Sequence, residues 1–213
     1  MFGDYSLYLV TDREILAGRN LCQSVEAALQ GGVTLVQLRE KGLSGRDFYL
    51  AAEALKEITD KYRVPLLIND RLDIALAIDA AGVHIGQNDL PLPMVRHILG
   101  PHKLIGYSVA DVAEAIYGAA NGADYLGAGP VYATTTKITD LSLLGEIGLS
   151  EIKKAVSIPV VGIGGINAAN AGEVMRAGAD GISVVSAILG AQDPKASAQE
   201  LLCKVRQGLT NPR

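Results

Sequence analysis

The sequence of 213 residues contains no tryptophan and only two cysteines, Cys22 and Cys203. Two distant cysteines without a Cys-x-x-Cys spacing exclude a disulfide framework and a cysteine zinc site, so we expect both thiols to pack as small hydrophobic side chains. No apolar run approaches the roughly 18 residues that a membrane span needs, and the first residues lack the basic and apolar segments of a secretory signal. We therefore expect a cytoplasmic protein with no membrane partner.

Charge of either sign is also scarce. The chain has 19 Lys and Arg against 23 Asp and Glu, which gives a net charge of −4. So mild a balance gives no reason to expect nucleic acid or an anionic membrane as partner. A small anionic substrate is still compatible with it, because a few arginines and lysines gathered in one place are enough to bind one. The oligomeric state stays open, a homo-oligomer included.

Short β-branched runs alternate with Ala/Leu/Glu/Lys stretches of helical spacing along the whole chain, a pattern typical of βα units. Strands are predicted over residues 6–11, 34–39, 65–69, 82–86, 103–107, 125–128, 159–163 and 181–185. Helices are predicted over residues 21–30, 45–62, 72–80, 93–99, 111–121, 149–156, 168–177 and 194–208. Eight strands, each followed by a helix, are the count that closes a parallel (β/α)8 or TIM barrel. Since no linker interrupts the pattern, we predict one α/β domain over residues 1–213.

An open doubly wound sheet is the alternative fold. It predicts a Gly-x-Gly-x-x-Gly turn after the first strand. Here that strand runs into Thr11, Asp12, Arg13 and Glu14, with no glycine. The barrel is therefore favoured, and with it an active site at the carboxyl ends of the strands.

Two cations and an amide end the second predicted strand. Alternation along a strand places Gln37, Arg39 and Lys41 on one side. Inward-facing cations are costly without an anionic partner, so this strand end predicts an anion site. The alternative is a set of solvated charges at a strand end.

Carboxylates follow the next two strands, Asp70 after the third and Asp89 after the fourth. Magnesium prefers oxygen ligands and usually takes only one or two carboxylates besides substrate phosphate oxygens, so the pair predicts a Mg²⁺ site. Helix capping is the alternative for both residues, and for Ser108 after the fifth strand. His84, within the fourth strand, is predicted to be a buried, hydrogen-bonded core residue.

Phosphate-binding features follow the last three strands. The long loop after the sixth strand carries Thr134, Thr135, Thr136 and Lys137, whose hydroxyls and ammonium group could grip a phosphate. The seventh strand leads into a glycine-rich turn, and the eighth into Val185 and Ser186, where barrels often bind phosphate at a short helix. A solvated loop and a tight turn are the alternatives.

Six motifs, taken together, resemble those of thiamine phosphate synthases and occur in that family's order. They are Gln37-Leu38-Arg39-Glu40-Lys41, Asn69-Asp70-Arg71, Gly86-Gln87-Asn88-Asp89, Gly129-Pro130-Val131-Tyr132 with Thr134-Thr135-Thr136-Lys137, Gly162-Ile163-Gly164-Gly165-Ile166, and Val185-Ser186-Ala187-Ile188. The glycine turn alone is shared by many phosphate-binding barrels, whereas the whole set is specific. The resemblance implies a (β/α)8 transferase of thiamine biosynthesis.

The resemblance also implies the reaction and the roles of the residues. The family couples a hydroxymethylpyrimidine diphosphate to a thiazole phosphate, or its carboxylated form, and releases diphosphate in a dissociative, Mg²⁺-assisted substitution. Asp70 and Asp89 are implied to hold the metal. The pyrimidine diphosphate is implied to bind Gln37, Leu38, Arg39, Glu40, Lys41, Asn69, Ser108 and Lys137, with Arg39, Lys41, Ser108 and Lys137 in catalytic roles. The thiazole phosphate is implied to bind Thr134, Thr135, Thr136, Gly165, Val185 and Ser186.

The loop over residues 133–145 departs from the family pattern, with Ala133 where a proline is usual. Two other functions compete with the synthase. A thiazole tautomerase needs the thiazole phosphate site but not the diphosphate and metal residues, and a non-catalytic barrel needs neither turnover nor metal. The presence of Arg39, Lys41, Asp70 and Asp89 favours the synthase.

Overall fold

The computed structural model describes residues 3–134 and 142–210. The strands are β1 Leu7–Val10, β2 Leu35–Leu38, β3 Leu66–Asn69, β4 Gly82–Ile85, β5 Leu104–Val109, β6 Tyr125–Ala128, β7 Val160–Ile163 and β8 Gly181–Val184. All pair in parallel in chain order, and β1 also pairs with β8, so the sheet closes. The predicted (β/α)8 barrel is confirmed.

The helices surround this barrel. They are α1 Arg13–Leu16, α2 Leu21–Gln30, α3 Gly45–Tyr62, α4 Leu72–Ala77, α5 Leu92–Leu99, α6 Val112–Ala120, α7 Gly145–Ala155, α8 Ala171–Arg176, α9 Ser186–Leu189 and α10 Pro194–Thr210. Two of them, α1 and α9, were not predicted because four residues are too short for a periodic apolar pattern. Within the described part of the chain, no helix has the length and apolarity needed to cross a membrane.

Helix α7 begins four residues before the predicted start at residue 149. Its first turn contains Gly145 and Gly148, which are weak helix formers, and an Ile147 that is 78% exposed. The prediction was wrong there because the apolar stripe on the buried face begins only at Leu149. Helix α8 begins three residues later than predicted.

Two hydrophobic layers hold the fold together. The larger one lies between the strands and the helices, and the smaller one fills the barrel interior with residues that include Tyr5, Tyr8, Leu67 and Tyr125. Gly106 makes room for these rings, because a Cβ there would lie 2.2 Å from the Tyr125 ring. The interior of the barrel therefore contains aromatic rings as well as aliphatic side chains.

The packing expected of the two cysteines is found only in part. Cys22 is half-buried, but Cys203 is exposed. On α10 the buried residues are Ala198, Leu201 and Val205, and Cys203 lies outside that stripe. The expectation is therefore wrong for Cys203.

Candidate active site

A cavity of about 580 Å³ opens at the carboxyl ends of the strands. This is where the barrel fold places its chemistry. Six of the predicted site residues line it: Arg39, Ser108, Thr134, Gly165, Val185 and Ser186. They lie within or shortly after β2, β5, β6, β7 and β8, so the cavity spans most of the barrel mouth.

Arg39 is held in place at one side of this cavity. Its Nη1 lies 2.9 Å from Oδ2 of Asp12, and its backbone N–H donates to the Thr11 hydroxyl. Asp12 is also the N-cap of α1, where it accepts from the backbone N–H groups of Glu14 and Ile15. Both partners of the ion pair are largely shielded from solvent, with side chains 16% and 12% exposed. The guanidinium is thus preorganised at the cavity wall.

The neighbours of Arg39 along the chain point elsewhere. Leu38 is fully buried in the layer between barrel and helices. Glu40 accepts two hydrogen bonds from Arg13, and its side chain is only 2% exposed. Lys41 is exposed, and its charge acts on Asp70. Of this motif, the cavity is lined by Arg39, while Leu38 and Glu40 support the strand end.

A chain of hydrogen bonds runs through the barrel interior from Gln37 to Ser108. Gln37 donates to the Tyr8 hydroxyl, which lies 2.9 Å from the Tyr125 hydroxyl. The Tyr125 hydroxyl lies 2.8 Å from His84 Nδ1, and His84 Nε2 lies 2.9 Å from Ser108 Oγ. The prediction of a buried, hydrogen-bonded His84 is confirmed. The part of the two tyrosines in this network was not predicted, because each has the composition of an ordinary strand residue.

Burial is the main influence on the pKa values of the tyrosines in this hydrogen-bond network. It raises the pKa of both Tyr8 and Tyr125 well above the ordinary value, so both hydroxyls stay protonated at neutral pH. Each can therefore donate one hydrogen bond and accept another. The chain links the amide of Gln37 to the hydroxyl of Ser108 at the cavity.

The capping alternatives are wrong for three predicted site residues. The N-cap of α6 is Asp111 rather than Ser108. The N-cap positions of α4 and α5 are Arg71 and Pro91, and neither helix has a side-chain cap. Asp70 and Asp89 therefore have no capping role.

Asp70 and Asp89 instead face each other on the loops after β3 and β4, and neither is among the residues that line the cavity. Partial burial, the negative charge of Asp89 and a hydrogen bond with it raise the pKa of Asp70 to about 6, although Asn69 and Lys41 lower it. Asp89 accepts from the backbone N–H of Gly86 at 2.7 Å. Asp70 has φ of +60°, a left-handed conformation that aspartate and asparagine tolerate best after glycine. The turn thus directs two carboxylates at one another.

This pair fits a divalent cation. Two close carboxylates repel each other, and a bound cation would relieve the repulsion. Among the described residues no group of three or more His, Cys, Asp or Glu side chains is arranged to hold a metal. A pair alone still suits Mg²⁺, which usually keeps several waters and takes one or two carboxylates plus phosphate oxygens.

A second wall of the cavity is built by the glycine turn after β7. Gly164 and Gly165 have φ of +97° and +65°, and a Cβ at Gly165 would lie 2.4 Å from the Ala133 carbonyl oxygen. Two backbone hydrogen bonds join this turn to the loop after β6, from Val131 to Ile163 and from Tyr132 to Gly164. The close approach brings Thr134 to the cavity wall beside Gly165.

The short helix α9 completes this wall. It begins at Ser186, with Val185 as its N-cap residue, and both line the cavity. The first N–H groups of a helix have no partner within it and suit an anion. Thr135, Thr136 and Lys137 lie outside the described residues.

Comparisons with known proteins agree with this geometry. The family model described as thiamine monophosphate synthase matches residues 7–188. The chain is 54% identical to the thiamine-phosphate synthase of Desulfitobacterium hafniense strain Y51, covering 93% of this chain and 96% of that one. It is also 54% identical to the thiamine-phosphate synthase of Clostridium acetobutylicum, covering 97% and 98%.

A solved structure gives the same result. The thiamine phosphate pyrophosphorylase from Pyrococcus furiosus superimposes with a TM-score of 0.89 at 40% identity, covering 97% of this chain and 98% of that one. At that identity and coverage the likeness extends beyond the shared barrel fold to the sequence as a whole. The chain therefore belongs to the thiamine monophosphate synthase family and is a transferase.

Proposed function

We propose that this enzyme joins a hydroxymethylpyrimidine diphosphate to a thiazole phosphate, forming thiamine phosphate and diphosphate with the help of Mg²⁺. One observation carries the proposal: a single cavity has Arg39 on one wall and the turn of Gly165, Val185 and Ser186 on the other. Two phosphate-bearing substrates can bind at these two separate places with their reacting ends between them. The names of the relatives at 54% identity supply the product, thiamine phosphate, and the family resemblance supplies the two substrates.

The cavity wall that carries Arg39 accounts for the departure of the diphosphate. The bond between the pyrimidine methylene carbon and the diphosphate oxygen breaks, and its electron pair leaves with the oxygen. Arg39 and Lys41 stabilise the negative charge that develops there, and Arg39 is already oriented by Asp12. Lys137 is assigned to the same role by the family resemblance.

Asp70 and Asp89 would hold Mg²⁺, which when bound neutralises diphosphate charge and acts as a Lewis acid. The position of the pair, on the loops after β3 and β4, follows that of Arg39 after β2 around the barrel. A tautomerase needs no such pair, so its presence favours the synthase.

The second half of the reaction needs positioning rather than a protein base. The aminopyrimidine ring stabilises the methylene cation, and the thiazole nitrogen attacks it with a lone pair that it already has. Gln37, Asn69 and Ser108 would orient the pyrimidine, and Thr134 through Thr136, Gly165, Val185 and Ser186 the thiazole phosphate. Holding both rings in one cavity supplies most of the acceleration by proximity.

The test is a coupled assay with purified protein, both substrates and Mg²⁺. Diphosphate release and thiamine phosphate formation should appear together in equal amounts. Leaving out either substrate, or replacing Mg²⁺ with a chelator, should abolish both signals. No thiamine phosphate in the complete mixture would refute the proposal.

A further inference from the structure

One buried hydroxyl in the cavity has no hydrogen-bond partner among the residues that the structure describes. Ser183 is 2% exposed, and its Oγ is the single buried side-chain nitrogen or oxygen without a hydrogen bond among the described residues. An unsatisfied buried hydroxyl destabilises the fold, and an alanine would fill this position without that cost. The stability of the fold therefore does not explain why a serine occupies position 183.

Its place in the barrel directs it at a ligand. Along β8, Ile182 and Val184 belong to the outer layer, so the alternating Ser183 faces the interior. It is in register with Tyr8 of β1 and Ile163 of β7, and it lines the cavity. The hydroxyl is thus part of the cavity floor.

The surroundings of Ser183 suit a ring. The cavity-lining residues nearest to it on β1 and β7 are Val10, two residues beyond its register partner Tyr8, and Ile163; both are apolar, and Gly127 on β6 adds no side chain. Apolar side chains with one hydroxyl among them match a heteroaromatic ring, whose faces are apolar and whose edge carries polar atoms.

The depth of Ser183 excludes the phosphate as its partner. It precedes Val185 by two residues, which places it up to about 6.6 Å further into the barrel at about 3.3 Å per strand residue. A phosphate bound at the turn of Gly165, Val185 and Ser186 therefore leaves Ser183 to the part of the ligand that lies inward of it.

We infer that Ser183 contacts the substrate, its hydroxyl hydrogen-bonding a polar atom of the ring end of a phosphate-bearing heteroaromatic molecule. This rests on the proposed function, in which that molecule is the thiazole phosphate. Ser183 is then a specificity-determining residue for the ring, separate from the backbone groups that bind the phosphate.

The experiment compares two ligands on Ser183→Ala by calorimetric titration. The affinity for the thiazole phosphate should fall roughly threefold to tenfold, the range of one neutral hydrogen bond. The affinity for inorganic phosphate, which reaches only the outer turn, should stay unchanged. The melting temperature of the free variant should equal or exceed that of the wild type, because an unsatisfied hydroxyl is removed.

Two further variants serve as controls. Ser183→Cys replaces the hydroxyl with a slightly larger thiol, which is only a weak donor, so its affinity for the thiazole phosphate should stay low. Ser24→Ala makes the same change at a buried serine of α2 that does not line the cavity, and binding should not change.

Three results would overturn the inference: unchanged affinity in Ser183→Ala, equal weakening of both ligands, or full recovery of binding in Ser183→Cys. Failure of the wild type to bind the thiazole phosphate or to form thiamine phosphate would instead refute the proposed function. The two failures are therefore distinguishable.

Discussion

The Tyr125 hydroxyl lies 2.8 Å from Nδ1 of His84 deep inside the barrel. This contact is the central link of the interior chain, because the other His84 nitrogen lies 2.9 Å from Ser108 Oγ and Tyr125 also reaches Tyr8. A neutral imidazole has one donor nitrogen and one acceptor nitrogen, so the direction of this one bond fixes what Ser108 presents to the cavity. Tyr125 is therefore a positioning residue for Ser108.

Tyr125→Phe should keep the ring packing and break the chain. Tyr8 and His84 each lose a partner, so we expect the free energy of unfolding to fall by about 1–3 kcal/mol. The KM for the pyrimidine diphosphate should rise severalfold while that for the thiazole phosphate stays constant. Urea unfolding and steady-state kinetics measure the two effects.

Tyr5→Phe is the matched control for this variant. The Tyr5 ring packs on that of Tyr125 with centroids 4.9 Å apart, but its hydroxyl is not a member of the interior chain. Tyr5→Phe should therefore leave the KM values for both substrates unchanged. An equal rise in both KM values for Tyr125→Phe would mean that the tyrosine only supports the barrel.

The acid pair should make Mg²⁺ binding dependent on pH. The pKa of Asp70 is raised to about 6, and a metal must displace the proton that the carboxyl holds below that value. Apparent Mg²⁺ affinity should therefore be constant above about pH 7 and fall by up to about tenfold per pH unit below pH 6. Titration calorimetry from pH 5 to 8 measures it.

Asp73→Asn is the control for a nearby carboxylate outside the pair, since Asp73 binds Arg71. It should keep the Mg²⁺ affinity and its pH profile. A wild-type affinity that did not change between pH 5 and 8 would exclude Asp70 as a ligand.

The raised pKa of Asp70 also predicts how the stability of the metal-free protein depends on pH. The folded-state pKa of Asp70 lies above the ordinary value of 3.8, so folding favours the protonated form. Its contribution is most favourable below about pH 4 and is lost as the pH rises through about 6. Asp70→Asn should therefore be more stable than the wild type at pH 8 in the presence of a chelator, by less than about 1 kcal/mol because solvent reaches this partly buried carboxylate and screens its charge.

Thermal unfolding at pH 4 and pH 8 tests this difference. The gain should vanish at pH 4, where the wild-type carboxyl is protonated too. Adding Mg²⁺ at pH 8 should stabilise the wild type and leave Asp70→Asn unaffected. A loss of stability in the variant at pH 8 would show that the carboxylate supports the fold.

Parts of this site could be predicted from the sequence because they follow local rules. Each strand run was visible by its composition, and the residues directly after a run had to lie at one end of a parallel barrel. That is how Arg39, Ser108, Gly165 and Ser186 were placed at the cavity. The acid pair followed from the same reasoning applied to β3 and β4.

The remainder depends on partners that are distant in the chain. Tyr8 and Tyr125 are 117 residues apart, and each is an ordinary β-strand residue when read alone. The unpartnered hydroxyl of Ser183 is visible only once its neighbours are in place. Strand register decides these contacts, and a single sequence does not specify it beyond the alternation of inward and outward faces.

Gly165→Ala should destabilise the fold and disturb the anion-binding wall that Gly165 forms with Val185 and Ser186. The added Cβ would lie 2.4 Å from a backbone oxygen, at a φ of +65°. We expect a loss of about 1–3 kcal/mol of unfolding free energy and at least tenfold weaker binding of the thiazole phosphate. Gly18→Ala, with φ of +85° and nothing within 4 Å of the added Cβ, separates backbone strain from the clash. It should keep the affinity, and equal losses of affinity in the two variants would contradict the steric argument.

Asp12→Asn tests the preorganisation of Arg39 without removing the helix cap. Asparagine caps a helix about as well as aspartate, so the hydrogen bonds to the backbone N–H groups of Glu14 and Ile15 remain. The ion pair with Arg39, 2.9 Å long in the wild type, loses its charge, and the guanidinium becomes less strictly oriented. The KM for the pyrimidine diphosphate should rise about threefold to tenfold, with the melting temperature nearly unchanged.

Asp111→Asn makes the same change at the N-cap of α6, where the aspartate accepts from the backbone N–H of Glu114. It should leave both kinetics and melting temperature unchanged. If Asp12→Asn and Asp111→Asn behaved alike in the assay, the ion pair would have no part in substrate binding. If only Asp12→Asn raised the KM for the pyrimidine diphosphate, while the KM for the thiazole phosphate stayed constant, the effect would be assigned to the wall that carries Arg39.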